Sequence, residues 1–209
     1  IRSLDQLRGM IKGAAEPFNS FETAMQSANT MAGKSGKDFD ALTEKIVGLS
    51  KNIPLAREQL ANGLYQTISN GVPEDNWISF LEKSSKAAVG SIADLGQTVT
   101  VTSTLIKDYG LSWDAAGDIQ DKIQTTAQNG TTSFEQLGQA LPRVSGSASQ
   151  LGVTIDELMA VFATTTGVTG NAAEVSMQLA DVFNALINPS NEATQAANDM
   201  GVGFNAASV

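Results

Sequence analysis

Residues 151–158 read Leu-Gly-Val-Thr-Ile-Asp-Glu-Leu, and residues 109–116 read Tyr-Gly-Leu-Ser-Trp-Asp-Ala-Ala. The two stretches share one pattern: a large residue, Gly, an apolar residue, Ser or Thr, a large apolar residue, Asp. Gly152 and Gly110 suit the left-handed position just past the end of a helix, because they carry no Cβ to clash. The apolar residue that follows, Val153 or Leu111, can fold back onto the helix that has ended. Thr154 and Ser112 offer a side-chain oxygen to the free N–H groups of a new helix. Glu157 stands three residues after Thr154 and completes a capping box, while Val153 can staple to Leu158. Asp156 and Asp114 place negative charge in the first turn, where the helix dipole favours it. Ala115 replaces the glutamate in the earlier copy, so that box is incomplete. The phrase predicts a corner that stops one helix and starts the next, and the chain builds it twice.

Outward from these corners, apolar residues recur at helical spacing. Ile155, Leu158, Met159 and Phe162 form one stripe. Asn171 with Glu174 caps a further helix whose face is Val175, Leu179, Val182, Phe183 and Leu186, and Asn188-Pro189 breaks and restarts the chain. Met200–Phe204 repeats the apolar–Gly–apolar part of the phrase without a Ser/Thr cap. Upstream, Ile119 and Ile123 mark a helix closed by Asn129-Gly130. Two overlapping boxes follow, Thr132 with Glu135 and Ser133 with Gln136, ahead of Phe134, Leu137 and Leu141. Pro142 kinks or stops that helix, and 145–150 is a loop or a weak helix. Gly167–Gly170 reads as turns.

Residues 97–105 alternate like a strand and are rich in β-branched residues. No second segment of that kind exists to pair with them, so they are read as helix. Leu60, Leu64 and Ile68 form a stripe that Asn70-Gly71 ends, with Pro54 expected in the first turn. Val72-Pro73 opens a helix with Trp77, Phe80 and Leu81 on one face. Phe39, Leu42, Ile46 and Leu49 mark another. Residues 1–32 carry Leu4, Leu7, Ile11 and Phe18 at helical spacing, with a break or kink at Pro17. The Gly/Ser/Lys segment 32–38 is the best boundary. The expected fold is all-α: roughly eight to ten short helices joined by Gly, Pro and Asn-Gly corners, in loosely repetitive helix–turn–helix packing without one fixed period. A helical lead-in, 1–35, precedes a helical domain, 36–209.

Composition excludes much chemistry. The 209 residues suffice for a real core, and with 42% hydrophobic but only 6% aromatic residues that core is built mainly of Ala, Leu, Ile and Val. There is no Cys and no His. That excludes disulfides, Cys/His zinc sites, Ser-His-Asp triads and Cys-His pairs. The net charge of −9 and the lack of a basic patch argue against specific nucleic-acid binding. The longest charge-free run, between Glu157 and Glu174, is broken by Thr164–Thr166, Gly167 and Gly170. It falls short of the ~18–20 apolar residues of a membrane span. The start at Ile1 in mid-pattern and the end at Val209 lead to the expectation that this is part of a longer protein.

Few constellations suggest a site. The adjacent acids Asp156-Glu157 and Glu74-Asp75 sit at expected helix starts, where the dipole accounts for them. Trp77 and Trp113 are candidate partner anchors, yet each falls on an apolar face or cap and fits the core. Lys83, Lys86 and Lys107 are scattered among acids like a solvated face. No residue is assigned a catalytic, cofactor-binding or metal-binding role, and no cofactor is expected. A secreted or surface interaction module remains the alternative to a structural protein, and an enzyme is disfavoured.

One resemblance adds to this. Residues 137–190, "LGQALPRVSGSASQLGVTIDELMAVFATTTGVTGNAAEVSMQLADVFNALINPS", resemble the core of bacteriophage tail tape measure proteins of the TP901 type. The matching order is Leu137-Gly138, Val144, Ala148, Leu151-Gly152-Val153-Thr154, Asp156-Glu157-Leu158, then a Leu-spaced helix and a Pro break at Pro189. Residues 49–91 and Met200–Phe204 are similar to flanking parts of that family, so the resemblance covers about 36–209. It implies a long, mostly helical protein that lies in several copies inside a growing tail and sets its length. Implied partners are the tail tube protein, tail assembly chaperones and tail tip or baseplate proteins. The implied location is the virion tail lumen, after synthesis in the host cytoplasm, with exit ahead of the DNA at infection. An acidic surface fits the last role, since DNA could follow without sticking.

Overall fold

A computed structural model describes residues 19–201, and every regular element among them is helical. The α-helices are α1 (19–32), α2 (Lys37–Leu49), α3 (Arg57–Ser69), α4 (Trp77–Ser91), α5 (Leu95–Asp108), α6 (Ala116–Asn129), α7 (Phe134–Ala140), α8 (Ser145–Gln150), α9 (Ile155–Thr169), α10 (Ala172–Ile187) and α11 (Asn191–Asp199). Three 3-10 turns, Glu74–Asn76, Trp113–Ala115 and Leu141–Arg143, complete the set. The all-α expectation holds, with eleven α-helices among the described residues because Pro142 splits 134–150 into two short ones. The readings at Leu4, Leu7, Ile11, Pro17 and Phe18, and at Val202–Phe204, lie outside the described residues.

The doubled phrase folds as its chemistry dictates. Gly110 and Gly152 take φ of 60° and 78°. The N–H of Gly110 donates to Lys107 and that of Leu111 to Ile106; the N–H of Gly152 donates to Ser149 and that of Val153 to Ala148. This is the paired bond set that closes a helix end through a left-handed residue. The start of the next helix then differs between copies. Thr154 Oγ1 accepts from the N–H of Glu157, and Glu157 Oε2 accepts from the N–H of Thr154 at 2.8 Å, so α9 begins at once. That bond from the Thr154 N–H holds the Glu157 carboxyl below its ordinary range. Ser112, without a glutamate to answer it, caps a 3-10 turn instead, and α6 starts only at Ala116.

A further copy emerges where the sequence was read only as a helix stop and start. Asn70-Gly71-Val72-Pro73-Glu74-Asp75 forms the same corner: Gly71 has φ 78°, its N–H donates to Ile68, and that of Val72 donates to Thr67. Pro73 stands where Thr154 and Ser112 cap, which hid the match, and a 3-10 turn again precedes the helix. The three glycines are about forty residues apart. Six residues beyond each lies a buried residue, Trp77, Ala116 or Leu158.

The corners recur because their helix pairs stack. The pairs are α3–α4, α5–α6 and α8–α9. The leading helix α5 packs on α3 and α8 on α5, while α6 packs on α4 and α9 on α6. Helix α2 covers α3 and α4, and α10 closes the other side against α7, α8 and α9. Polar contacts repeat with the stack. Lys34 pairs with Glu74 at 2.5 Å, Lys83 Nζ donates to the carbonyl of Asp114 at 2.8 Å, and Lys122 pairs with Asp156. Each lysine reaches the first turn after one corner. The end of α5 is tied to α8 by Ser145, whose hydroxyl donates to the Asp108 carboxylate, and by Ser149, which donates to the Asp108 carbonyl.

The core fits a chain poor in aromatics. Ala28, Ala61, Ala88, Ala116, Ala140 and Ala148 are buried among Leu and Ile, and Phe21, Met25 and Ala28 of α1 join the same cluster. Small residues let helices approach closely. At Gly63 of α3 a Cβ would fall 2.6 Å from Leu95 and 2.9 Å from Leu81. Gln120 lies in the core and joins three helices: its Nε2 donates to Ser84 Oγ of α4 at 3.0 Å and Thr102 Oγ1 of α5 at 3.2 Å.

Several local expectations are corrected. Pro54 lies in a bend, and α3 starts at Arg57, where Gln59 Oε1 accepts from the N–H of Ala56. Of the two overlapping boxes, Ser133 with Gln136 forms. Gly167 is helical, because α9 runs on to Thr169 and turns only at Gly170, φ 66°. Val182 does not face the core; it is 53% exposed, and Ser176 is buried instead.

One corner carries a misfit residue. Ile92 takes φ 53° where the other corners use glycine, with the N–H of Ala93 donating to Ala88. A β-branched side chain is strained there. At 93% exposure it gains no packing in return. Ile92→Gly is therefore expected to raise unfolding free energy by about 1 kcal/mol. A denaturant midpoint that stays put or falls would contradict this.

Candidate interaction surfaces

The structure disperses the residues that could have formed a reaction centre. Asp156 pairs with Lys122, Glu157 folds back on Thr154, and Glu74 pairs with Lys34. Among the described residues, no three His, Cys, Asp or Glu side chains gather to hold a metal ion. No helix among them is long and apolar enough to cross a membrane. Trp77 is buried and its Nε1 donates to the Val72 carbonyl at 2.8 Å, with Lys34 Nζ 5.9 Å from its ring centre. Trp113 is half-buried and meets Phe80 edge-on, centroids 5.7 Å apart. Both rings are used inside the stack. Lys83, Lys86, Gln120 and Gln124 are among the residues lining a groove of about 490 Å³ between α4 and α6.

Tyr109 is the large residue heading one corner. Its hydroxyl is enclosed with no hydrogen-bond partner among the described residues. Burial, then the charges of Asp108 and Glu157, push its phenol from 10.0 up to about 12. The unfolded chain loses this proton near pH 10, whereas the folded chain keeps it to about pH 12. Stability from this group is complete below the lower value and is lost as pH rises through the higher one. Thermal melts at about pH 9 and about pH 11.5 should show a steeper loss for the parent chain than for Tyr109→Phe. Equal losses would mean the hydroxyl is not sequestered.

A second surface went unnoticed in the sequence. The last turns of α9 and the first turns of α10 form an apolar groove of about 440 Å³ that includes Val168, Val175, Leu179 and Val182. Val168 is 87% exposed, and Met177 and Val182 also stand out to solvent. The signal was present: α10 carries apolar residues around more of its circumference than one packed face requires. From Val144 onward the chain has no Lys or Arg, only acids.

Comparison with known proteins adds a family to this architecture. A sequence model described as "Phage-related minor tail protein" matches residues 43–208. The "Probable tape measure protein" of Clostridium phage phiCD119 is 26% identical over 149 residues, covering 69% of this chain. The chain spans 16% of that relative's length. No solved structure matches. The family match takes in every stacked corner from α3 to α9, and the chain belongs to the phage-related minor tail protein family.

Proposed function

We propose that this segment is a structural, non-enzymatic part of a tape measure protein, which sets tail length inside the tube and passes out ahead of the DNA at infection. The observation that carries the reading is the likeness to the phiCD119 tape measure protein over 149 residues, beside the family match over 43–208 that takes in the stacked corners. In this reading 36–209 is the tape-measure core and 1–35 its lead-in. Its partners are the tube protein, assembly chaperones, tip or baseplate proteins and further copies of itself. The tail lumen is its place in the virion. Short helices packed on a core rich in Ala and Leu, with no disulfide to lock them, suit a ruler that must be drawn out.

An in-frame deletion of residues 39–187 in the parent phage tests this by electron microscopy. Fully extended as helix, these residues span on the order of 220 Å at ~1.5 Å each. Tails shortened by that amount support the ruler with the corners opened. A much smaller shortening means the stack stays folded inside the tube. Tails of normal length overturn the length-setting role of this segment.

A further inference from the structure

We propose that the groove between α9 and α10 is a docking site for a basic amphipathic helix of another protein chain. The proposal rests on the groove's chemistry and not on the length-setting role. Val175, Leu179 and Val182 lie on one stripe of α10, opposite Val168 of α9. Thr164, Thr165 and Thr169 line the α9 side, and their hydroxyls donate to the carbonyls of Ala160, Val161 and Thr165. Their hydrogen-bonding demand is met within α9, so an apolar visitor need not leave it unmet. An i, i+3, i+7 seam of leucines suits such a groove.

Charge selects the visitor. Glu174 and Asp181, seven residues apart, fall together along one flank of the α10 stripe. Gln178 lies in the groove wall and its Nε2 donates to Glu174 Oε1 at 3.2 Å, holding that carboxylate beside the opening. Residues 144–209 hold six acids and no Lys or Arg; Lys122 of α6 answers Asp156, while Glu174 and Asp181 stand beside the groove. A second copy presenting this same face would set acid against acid, whereas Lys or Arg along a helix flank would complement it.

The test uses the full chain and two synthetic helices of about four turns. Each has a leucine seam; one carries lysines along a flank and its twin carries glutamates there. By fluorescence anisotropy the lysine peptide should bind, more weakly as salt rises, and the glutamate twin should not. Val182→Arg and Val168→Arg should each weaken binding at least about tenfold. Both sites are exposed, so helical circular dichroism should be unchanged. Asp181→Lys should weaken binding and flatten its salt dependence. Equal binding of the two peptides, or indifference to Val182→Arg, overturns the proposal. So does a chain that is dimeric until Val182→Arg makes it monomeric, which would give the groove to a second copy. Binding seen only after removal of residues 1–18 would give it to the chain's own segment and equally overturn it.

Discussion

Phe162→Ala is expected to lower unfolding free energy by about 3–5 kcal/mol. Phe162 is fully buried in α9, the helix that meets α6, α8 and α10. Truncation leaves a ring-sized cavity where four helices converge. The core as a whole is built largely of Ala, Leu, Ile and Val, with Met25 and Met159 its only buried methionines among the described residues, so few flexible side chains are at hand to fill it. Collapse would require the helices to shift, and the corner bonds at Gly152 and the cap at Thr154 resist that. A urea midpoint with unchanged slope measures the loss. Phe162→Leu, which keeps most of the volume, should cost about 1 kcal/mol. A loss below about 1 kcal/mol for the alanine variant would mean that α9 is not docked on the stack as described.

Gly130→Ala is expected to cost about 2–3 kcal/mol, a large effect for one methyl group. The backbone at Gly130, φ −99° and ψ −177°, is extended and open to any residue. Space is what forbids the change. An added Cβ would lie 2.2 Å from Thr166 Oγ1, 3.2 Å from the carbonyl of Ala163 and 3.3 Å from that of Thr126. Thr166 is fully buried, and its hydroxyl donates to the Phe162 carbonyl, so it has little freedom to retreat. Helix α9 must therefore move off the end of α6. Thr166→Ala removes the nearest atom, and the double variant should recover part of the loss, a coupling that a double-mutant cycle reads directly. Simple additivity would show that the two residues do not touch. Gly152 offers the contrast. A Cβ there meets nothing within 4 Å, but φ is 78°, so Gly152→Ala is penalised by conformation alone, about 1 kcal/mol.

These two glycines mark the limit of what could be read from the chain. The role of Gly152 was legible because the reason for it is local: a left-handed residue, the apolar residue after it, and Thr154 with Glu157, all within eight positions. Ser133 with Gln136 and Asn171 with Glu174 were legible on the same grounds. Helix α5 was legible despite its β-branched residues, because no partner strand was available. Gly130 reads only as the end of a helix; that α9 passes within contact distance of it is a fact about Ala163 and Thr166, far along the chain. Gln120 reads as a surface amide until α4 and α5 close over it with Ser84 and Thr102. Asn70-Gly71 and Val72-Pro73 were legible as a helix stop and start, but not as the repeated phrase, because Pro73 cannot cap with a side chain although the backbone bonds match the other two.

The groove on α9 and α10 was legible in composition and hidden in geometry. Val182 stands among apolar residues at helical spacing, and from spacing alone it belongs with Phe183 in the core. Which of the two is covered depends on where α7, α8 and α9 lie around α10. By itself the sequence determined the helices, their caps and their corners, because hydrogen bonds between near neighbours and the steric freedom of glycine act within a few residues. Only the tertiary structure decided the order of stacking, the buried amide, the forbidden methyl at Gly130 and the uncovered apolar face. Those depend on which surfaces meet across long stretches of chain, and burial of apolar area, being non-directional, leaves no local mark of its partner.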